Sequence, residues 1–290
     1  MRRSLGLILV LLVALPAAAA AQTTRRIVID PGHGGSDPGG VGNSLQEKNI
    51  VLDVATRFKA LLDADTADSS GGGRWIAQRT RTSDVFVSLA ARASFANSQG
   101  ADRFMSIHSN AFGNSQANGT ETFAFAEGGQ GAALRNLVQS EMITAWRLTN
   151  RGNKTANFFV LRETAMPAVL HELAFITNAG DAAKLRSATE RQKAARAHLF
   201  AVQRHFGLGR HTPSLTSGDE EDEVAAEEGV GSGDEDELGE LGELGEEETG
   251  ELDEDEGGCA AGGSSGSSGG LALLLAAVLI GAARRPRRGR

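Results

Sequence analysis

Four polar side chains that could do chemistry lie far apart in the 290-residue sequence: His33, Glu47, His108 and Glu172. Two imidazoles and one carboxylate suit a catalytic zinc site, because they leave a fourth coordination position for water. A further carboxylate nearby could take the proton of that water during metal-assisted hydrolysis. Taken alone, however, a loop histidine is more often a surface residue than a ligand, and the glycines around His33 could serve only a turn.

The sequence around these residues alternates between short apolar runs and segments with helical spacing. Strands are predicted at 25–30, 75–80, 104–107, 121–126, 158–161 and 168–170, and helices at 47–62, 88–98, 132–148 and 181–206. This alternation predicts a single α/β domain over residues 24–211, with a mostly parallel sheet covered by helices on both faces. Ligands in open α/β sheets bind at the carboxyl ends of strands, so we expect the four polar residues to converge on one rim.

The charge is divided unevenly along the chain. Of 37 acidic residues, 21 lie between Asp219 and Glu256, whereas residues 24–211 carry 22 basic against 16 acidic side chains. The predicted domain is therefore mildly basic, which suits an anionic substrate or surface. It has no stripe of basic and aromatic residues, so nucleic-acid binding is not expected. The single cysteine, Cys259, excludes an intramolecular disulfide and a cysteine-based zinc site.

The first 21 residues have the pattern of a signal peptide. Arg2 and Arg3 precede an apolar run at 5–15, and a string of alanines ends at Ala21. We interpret this segment as a secretory signal that is cut after Ala21, which implies export to the periplasm or the cell surface. The alternative is an N-terminal membrane anchor.

The last 79 residues have two parts of different composition. Residues 212–258 are acidic, lack aromatic residues and are predicted to form a disordered linker. Residues 259–290 contain Cys259, a Gly/Ser run, a short apolar stretch and an arginine cluster. This order resembles the myxobacterial C-terminal sorting signal, which implies processing by a sorting protease near Cys259 and anchoring at the cell surface. The alternative is a plain C-terminal membrane tail.

Six segments, in order along residues 26–207, carry a further resemblance. They are VIDPGHGGSDPG, Glu47 ahead of Lys48-Asn49, TRTSD, SLAARASFAN, ADRFMSIHSNA and NRGNKTANFFVLRETAMPAVLHELAFITN. Together they resemble the zinc-dependent N-acetylmuramoyl-L-alanine amidases of the family known as amidase type 3. The resemblance implies a twisted mixed sheet, one Zn²⁺, and peptidoglycan as the substrate. The bond cut would be the amide between the lactyl group of muramic acid and L-alanine.

The same resemblance assigns roles to individual residues. It implies that His33, Glu47 and His108 are the zinc ligands and that Glu172 is the catalytic carboxylate. His171 departs from the family pattern, which has an apolar residue there. Because neighbouring strand residues point to opposite faces, His171 should face away from the site if Glu172 faces it; the rival assignment makes His171 a ligand. Asn110 and Arg162 are candidates for orienting ligands or substrate.

Regulation and alternative functions remain open from the sequence. Some relatives carry an insertion with a helix that plugs the zinc site, whereas here only about 30 residues separate Phe125 from Phe158. We therefore expect an open cleft. A non-catalytic module that binds peptidoglycan and a zinc peptidase that cuts within the stem peptide are the competing hypotheses.

Overall fold

The computed structural model describes residues 23–214. The predicted signal peptide, the C-terminal segment and nearly all of the acidic linker lie outside the described residues. The helices and strands within 23–214 are β1 (Thr24–Pro31), β2 (Val41–Gly42), β3 (Leu45–Gln46), α1 (Glu47–Ala67), β4 (Arg74–Arg79), α2 (Leu89–Ser98), β5 (Arg103–Asn110), β6 (Thr120–Ala124), α3 (Gly129–Trp146), β7 (Asn150–Thr155), α4 (Phe159–Glu163), β8 (Ala168–Phe175), α5 (Ala179–Arg186) and α6 (Ala188–His205).

A six-stranded mixed sheet forms the centre of the fold, with the strand order β4-β1-β5-β8-β6-β7. Strands β4, β1, β5 and β8 run parallel to their neighbours. Strand β6 is antiparallel to β8 and parallel to β7, so β6 and β7 run in the opposite direction to the other four. The predicted fold class, a single α/β domain with a mostly parallel mixed sheet, is confirmed.

Helices cover both faces of this sheet, as predicted. Ile27 and Ile29 of β1 face the larger core, which α1, α3 and α6 cover, whereas Val28 faces a smaller core with residues of α2 and α4. The same alternation places Phe104 of β5 and Leu170 of β8 in the smaller core. Since strand side chains alternate between faces, His108 and Glu172 belong to the α2 and α4 side of the sheet.

The predicted strand at 158–161 is wrong, because this segment is helical. Helix α4 begins after Phe158, whose carbonyl accepts hydrogen bonds from the backbone N–H groups of Leu161 and Arg162 at 3.1 and 3.0 Å. Val160 and Leu161 are buried in the smaller core, which explains the apolar run. A short apolar run has the same composition in a buried strand and in a buried helical turn, so periodicity does not separate them.

The predicted helix at 181–206 is divided into α5 and α6. Ser187 has extended backbone angles, ends α5 and caps α6, where its side chain accepts a hydrogen bond from the backbone N–H of Glu190. Edge strand β7 and the short β2–β3 hairpin were not predicted from the sequence. Within the part of the chain that the structure describes, no helix is both long enough and apolar enough to cross a membrane.

Candidate metal centre

Three of the predicted site residues meet at the carboxyl ends of β1 and β5. His33 lies in the loop after β1, Glu47 is the first residue of α1, and His108 lies in β5. The distance from Glu47 Oε1 is 3.1 Å to His33 Nε2 and 2.9 Å to His108 Nδ1. One potential ligand atom from each residue lies within 4.8 Å of the other two. The rim predicted from sequence therefore exists, and these three side chains could hold one divalent cation.

A carboxylate that the sequence analysis did not assign orients His33. Asp37 Oδ2 lies 2.8 Å from His33 Nδ1, and Asp37 Oδ1 accepts a hydrogen bond from the backbone N–H of Gly39. When Nδ1–H donates to Asp37, the lone pair of Nε2 points into the cluster. The pKa of His33 is raised: burial lowers it, but the hydrogen bonds and charges of Glu47 and Asp37 outweigh that effect.

Glu47 is held as a buried, ionised carboxylate. Only 4% of the residue is exposed. Its Oε2 accepts a hydrogen bond from the backbone N–H of Gly40, and its Oε1 accepts one from Ser109 N–H. Burial alone would raise the pKa of Glu47, but the hydrogen bonds and charges of His108 and His33 outweigh it and hold the pKa well below its usual range. An anionic oxygen is thus ready between the two imidazoles.

Two glycines give the imidazoles their room. A Cβ atom on Gly32 would lie 2.2 Å from Cε1 of His108, closer than van der Waals contact permits. Gly39 has a φ of +66°, and a Cβ there would lie 2.6 Å from both Glu47 Oε2 and the His33 ring. Glycine at these positions therefore leaves space for the side chains of the cluster and does not only form the turn. The sequence alone had left both explanations open.

Two buried arginines fix the loop that carries His33. Arg92 pairs with Asp30 at 2.8 Å and donates to the carbonyls of Pro31 and His33 at 2.7 and 2.6 Å. Arg81 donates to the carbonyls of Pro31 and Gly32 at 2.9 and 2.7 Å. Both arginines lie in segments that the sequence analysis quoted, TRTSD and SLAARASFAN, but only the structure shows that they bind this backbone.

Glu172 lies beside the cluster on the neighbouring strand. It pairs with His108 in the β5–β8 register, on the same face of the sheet. Its Oε2 is a buried atom that has no hydrogen-bond partner among the described residues. Burial, followed by the charges of Glu47 and Glu121, raises the pKa of Glu172 well above its usual range. An unpartnered oxygen on a carboxyl of high pKa is suited to accepting a proton.

His171 points to the opposite face, as strand alternation predicts. The residue is buried in the larger core, where Nδ1 lies 3.0 Å from Nε2 of His198 and Nε2 lies 2.8 Å from Thr120 Oγ1. Both ring nitrogens are therefore engaged away from His33 and His108. The rival assignment, in which His171 is a metal ligand, does not fit this geometry.

The two candidate orienting residues differ in their surroundings. Asn110 follows His108 in β5 and donates its amide to Glu121 Oε1 at 2.7 Å. Arg162 donates instead to Glu163 and to Asn157, both at 2.8 Å, so its guanidinium is engaged next to its own helix. The structure thus links Asn110, but not Arg162, to the residues around Glu172. Glu121 was missed, because its sequence neighbours carry no motif that singles it out.

The fold and the cluster define an α/β domain with two histidines and a glutamate at one edge of the sheet that could hold a divalent cation, and with a further carboxyl beside them. Residues 27–204 match the family model described as N-acetylmuramoyl-L-alanine amidase, and the chain belongs to this family. The predicted enzyme class, an amidase, is therefore confirmed.

Individual relatives agree with this membership. The sporulation-specific N-acetylmuramoyl-L-alanine amidase of Bacillus subtilis (strain 168) is 42% identical over 190 residues, which cover 65% of this chain and 71% of that protein. The amidase CwlM of Bacillus licheniformis is 41% identical over 191 residues, covering 66% and 72%. The solved catalytic domain of the amidase CwlV from Bacillus (Paenibacillus) polymyxa var. colistinus has a TM-score of 0.59 at 32% identity, covering 63% of this chain and 99% of that chain.

Proposed function

We propose that this amidase is zinc-dependent and hydrolyses the amide between the lactyl group of muramic acid and the L-alanine of peptidoglycan. In this proposal His33, Glu47 and His108 bind Zn²⁺, and Glu172 is the catalytic carboxylate. The observation that supports it most strongly is the meeting of these three side chains within 4.8 Å, beside a carboxyl with an unpartnered buried oxygen.

The residues present fit a zinc ion. Nitrogen and carboxylate oxygen are ligands that zinc prefers, and three protein ligands leave a position for water or substrate. The backbone N–H groups of Gly40 and Ser109 and the carboxylate of Asp37 orient the ligands from behind. A bound Zn²⁺ would act as a Lewis acid toward the scissile carbonyl and the attacking water.

Glu172 would move the proton in this reaction. Its unpartnered Oε2 would accept a proton from the attacking water and then donate it to the nitrogen of L-alanine as the amide breaks. The proton on Oε2 is thus taken up in the first half of the reaction and released in the second. Without this transfer the leaving group would depart as an unfavourable amide anion.

We also propose that the cleft needs no activator. The segment between β6 and β8 forms α3, β7 and α4. Leu134, Val138 and Met142 of α3 are buried in the larger core, on the face of the sheet opposite to Glu172. Helix α3 therefore packs on the opposite face of the sheet and does not cover the cluster.

Export and anchoring are also part of this proposal. They rest on the segments 1–21 and 259–290 of the sequence, and peptidoglycan lies outside the cytoplasmic membrane. The C-terminal segment would engage the membrane or a sorting protease. Cell-wall remodelling, division or lysis are the processes in which such an enzyme would act.

Digestion of purified peptidoglycan tests the reaction. We expect release of intact muramic-acid glycan and free stem peptides that begin with alanine. Chelator should abolish this release and zinc should restore it. Binding without products would support the non-catalytic module instead, and fragments cut between stem amino acids would support a peptidase; mass spectrometry of the digest separates the three.

Glu172→Gln tests the role of the carboxylate in the same assay. The variant should bind zinc like the wild type but lose at least about 100-fold in turnover, since the side-chain amide of glutamine cannot accept the proton from water. Glu127→Gln is the matched control, because Glu127 is an exposed carboxylate that pairs with Arg135. Turnover of Glu172→Gln near the wild-type rate would remove Glu172 from its proposed role.

A further inference from the structure

Two cations on edge strand β7 converge on one buried carboxylate. Arg151 Nε lies 2.9 Å from Glu121 Oε2, and Lys154 Nζ contacts the same oxygen. The other oxygen, Oε1, accepts the hydrogen bond from Asn110. Glu121 therefore has both oxygens occupied, and its side chain is only 5% exposed.

Two cations contact the single carboxylate of Glu121, one more than that carboxylate needs for neutrality. The acidic group next to it on β8 is Glu172, which pairs with Glu121 across the strands. The side chains of Arg151 and Lys154 are 31% and 26% exposed, so both remain accessible from solvent. A partly exposed pair of cations attracts anions.

Aromatic rings fix where the two cations lie. The guanidinium of Arg151 stacks over the Phe175 ring at 4.7 Å, and Lys154 Nζ lies 5.7 Å from the centre of the Phe123 ring. Such cation–π contacts reduce the freedom of long side chains. The cations are thus held in place, as a binding site for a small anion requires.

The group lies in one transverse row with the candidate active site. His108 pairs with Glu172, Glu172 pairs with Glu121, and Glu121 pairs with Gly152 of β7. Neighbouring strands are about 4.8 Å apart, so Glu121 lies roughly 10 Å from His108 along this row. Two extended residues, together with a hydrogen bond of about 2.9 Å from the carboxylate of the second residue, cover this distance. A substrate whose amide lies at the cluster could therefore place its next residues beside Arg151 and Lys154.

We propose that Arg151 and Lys154 form a carboxylate-binding subsite for the stem peptide, which recognises a free carboxylate on the residue that follows L-alanine. This inference rests on the proposed function. It orients the substrate, with the peptide toward β7 and the glycan toward β1 and β4. The lactyl carboxyl of muramic acid forms the scissile amide and is therefore not free. The free carboxylates close to that bond belong to the stem peptide.

A pair of synthetic substrates tests the subsite. They are N-acetylmuramoyl peptides that differ only in a carboxylate or a carboxamide on the residue after alanine. We expect the wild type to prefer the carboxylate by roughly tenfold in kcat/KM, mainly through KM, since a charge-assisted hydrogen bond is lost in the amide. Lys154→Met should raise KM more for the acid than for the amide and so remove most of the preference.

Two further variants distinguish an effect of the positive charge on substrate binding from an effect of the substitution on folding. Lys154→Arg keeps the positive charge and should retain the preference. Lys59→Met is the matched control, because Lys59 also pairs with a carboxylate, Asp63, but lies on the surface of α1. Calorimetric binding of the two released peptides, acid and amide, to the wild type measures the subsite without turnover.

The outcomes distinguish this inference from the proposed function. If the wild type cleaves neither substrate, the proposed function fails, and the calorimetric comparison still decides the subsite. If the wild type binds and cleaves acid and amide equally, the subsite is overturned while the amidase stands. A preference that persists in folded Lys154→Met would also overturn it.

Discussion

His33 Nδ1 and Asp37 Oδ2 lie 2.8 Å apart within a single loop, and this contact fixes which nitrogen of His33 faces Glu47. His33 has a backbone φ of 57°, a left-handed conformation that few residues other than glycine adopt. The loop therefore relies on its hydrogen bonds, and the Asp37 carboxylate accepts one from the His33 ring and one from the backbone N–H of Gly39.

Loss of the Asp37 carboxylate should weaken metal binding. In Asp37→Ala the His33 ring can rotate and change tautomer, and we expect zinc affinity to fall by roughly 10- to 100-fold. Competition with a chromophoric chelator measures this directly. Asp63→Ala, at an exposed ion pair on α1, should leave the affinity unchanged. Equal affinities for wild type and Asp37→Ala would show that Asp37 does not orient the ligand.

A methyl group added at Gly32 should disrupt the cluster at His108. In Gly32→Ala the new Cβ would lie 2.2 Å from the His108 ring, so the imidazole must leave its position. We expect loss of zinc binding and of peptidoglycan hydrolysis. Gly113→Ala provides the control, because nothing lies within 4 Å of a Cβ at that glycine. Retention of zinc and activity in Gly32→Ala would contradict the position assigned to His108.

The buried pair His171 and His198 should make folding sensitive to mild acid. Burial lowers the pKa of His198 to about 4, although its hydrogen bond to Ala194 acts in the opposite direction. Burial, followed by the charge of His198, lowers the pKa of His171 well below its usual value. An unfolded histidine takes up a proton below about pH 6.5. The stability that comes from these neutral rings is therefore complete above that pH and is lost as the pH falls toward 4.

Urea unfolding of zinc-free protein at pH 7 and pH 5 measures this effect. We expect the free energy of unfolding of the wild type to fall by about 2 kcal/mol over this interval from His198, with a further fall in the same direction from His171. The double variant His171→Leu with His198→Phe lacks both titrating rings, so its free energy of unfolding should fall less between pH 7 and pH 5. Identical pH dependence in the two proteins would mean that the histidine pair does not titrate between the folded and unfolded states.

The sequence predicted the parts of the fold that have a strong apolar pattern. The runs that became β1, β5 and β8 are buried on both faces, and such strands read as continuous apolar segments. Strand β7 could not be found in this way, since its sequence NRGNKT is polar and lies at the edge of the sheet. The run FFVL misled the prediction, because burial alone does not distinguish a helical turn from a strand.

The candidate site was predictable to the extent that strand direction determines it. Parallel strands bring their carboxyl ends to one edge, which places His33, His108 and Glu172 together. The surrounding contacts were not predictable, because they depend on side-chain geometry between distant segments. Asp37 carries a weak signal, its spacing of four residues from His33 in a glycine-rich loop. Glu121 carries none, since its partners come from β5 and β7.

Anomalous diffraction at the zinc edge from crystals of the zinc-loaded protein determines whether His33, Glu47 and His108 bind one zinc ion. We expect one strong peak, within bonding distance of His33 Nε2, Glu47 and His108 Nδ1, with Glu172 beside it. A peak held by other residues, or no peak at these three side chains with stoichiometric zinc present, would overturn the proposed zinc site.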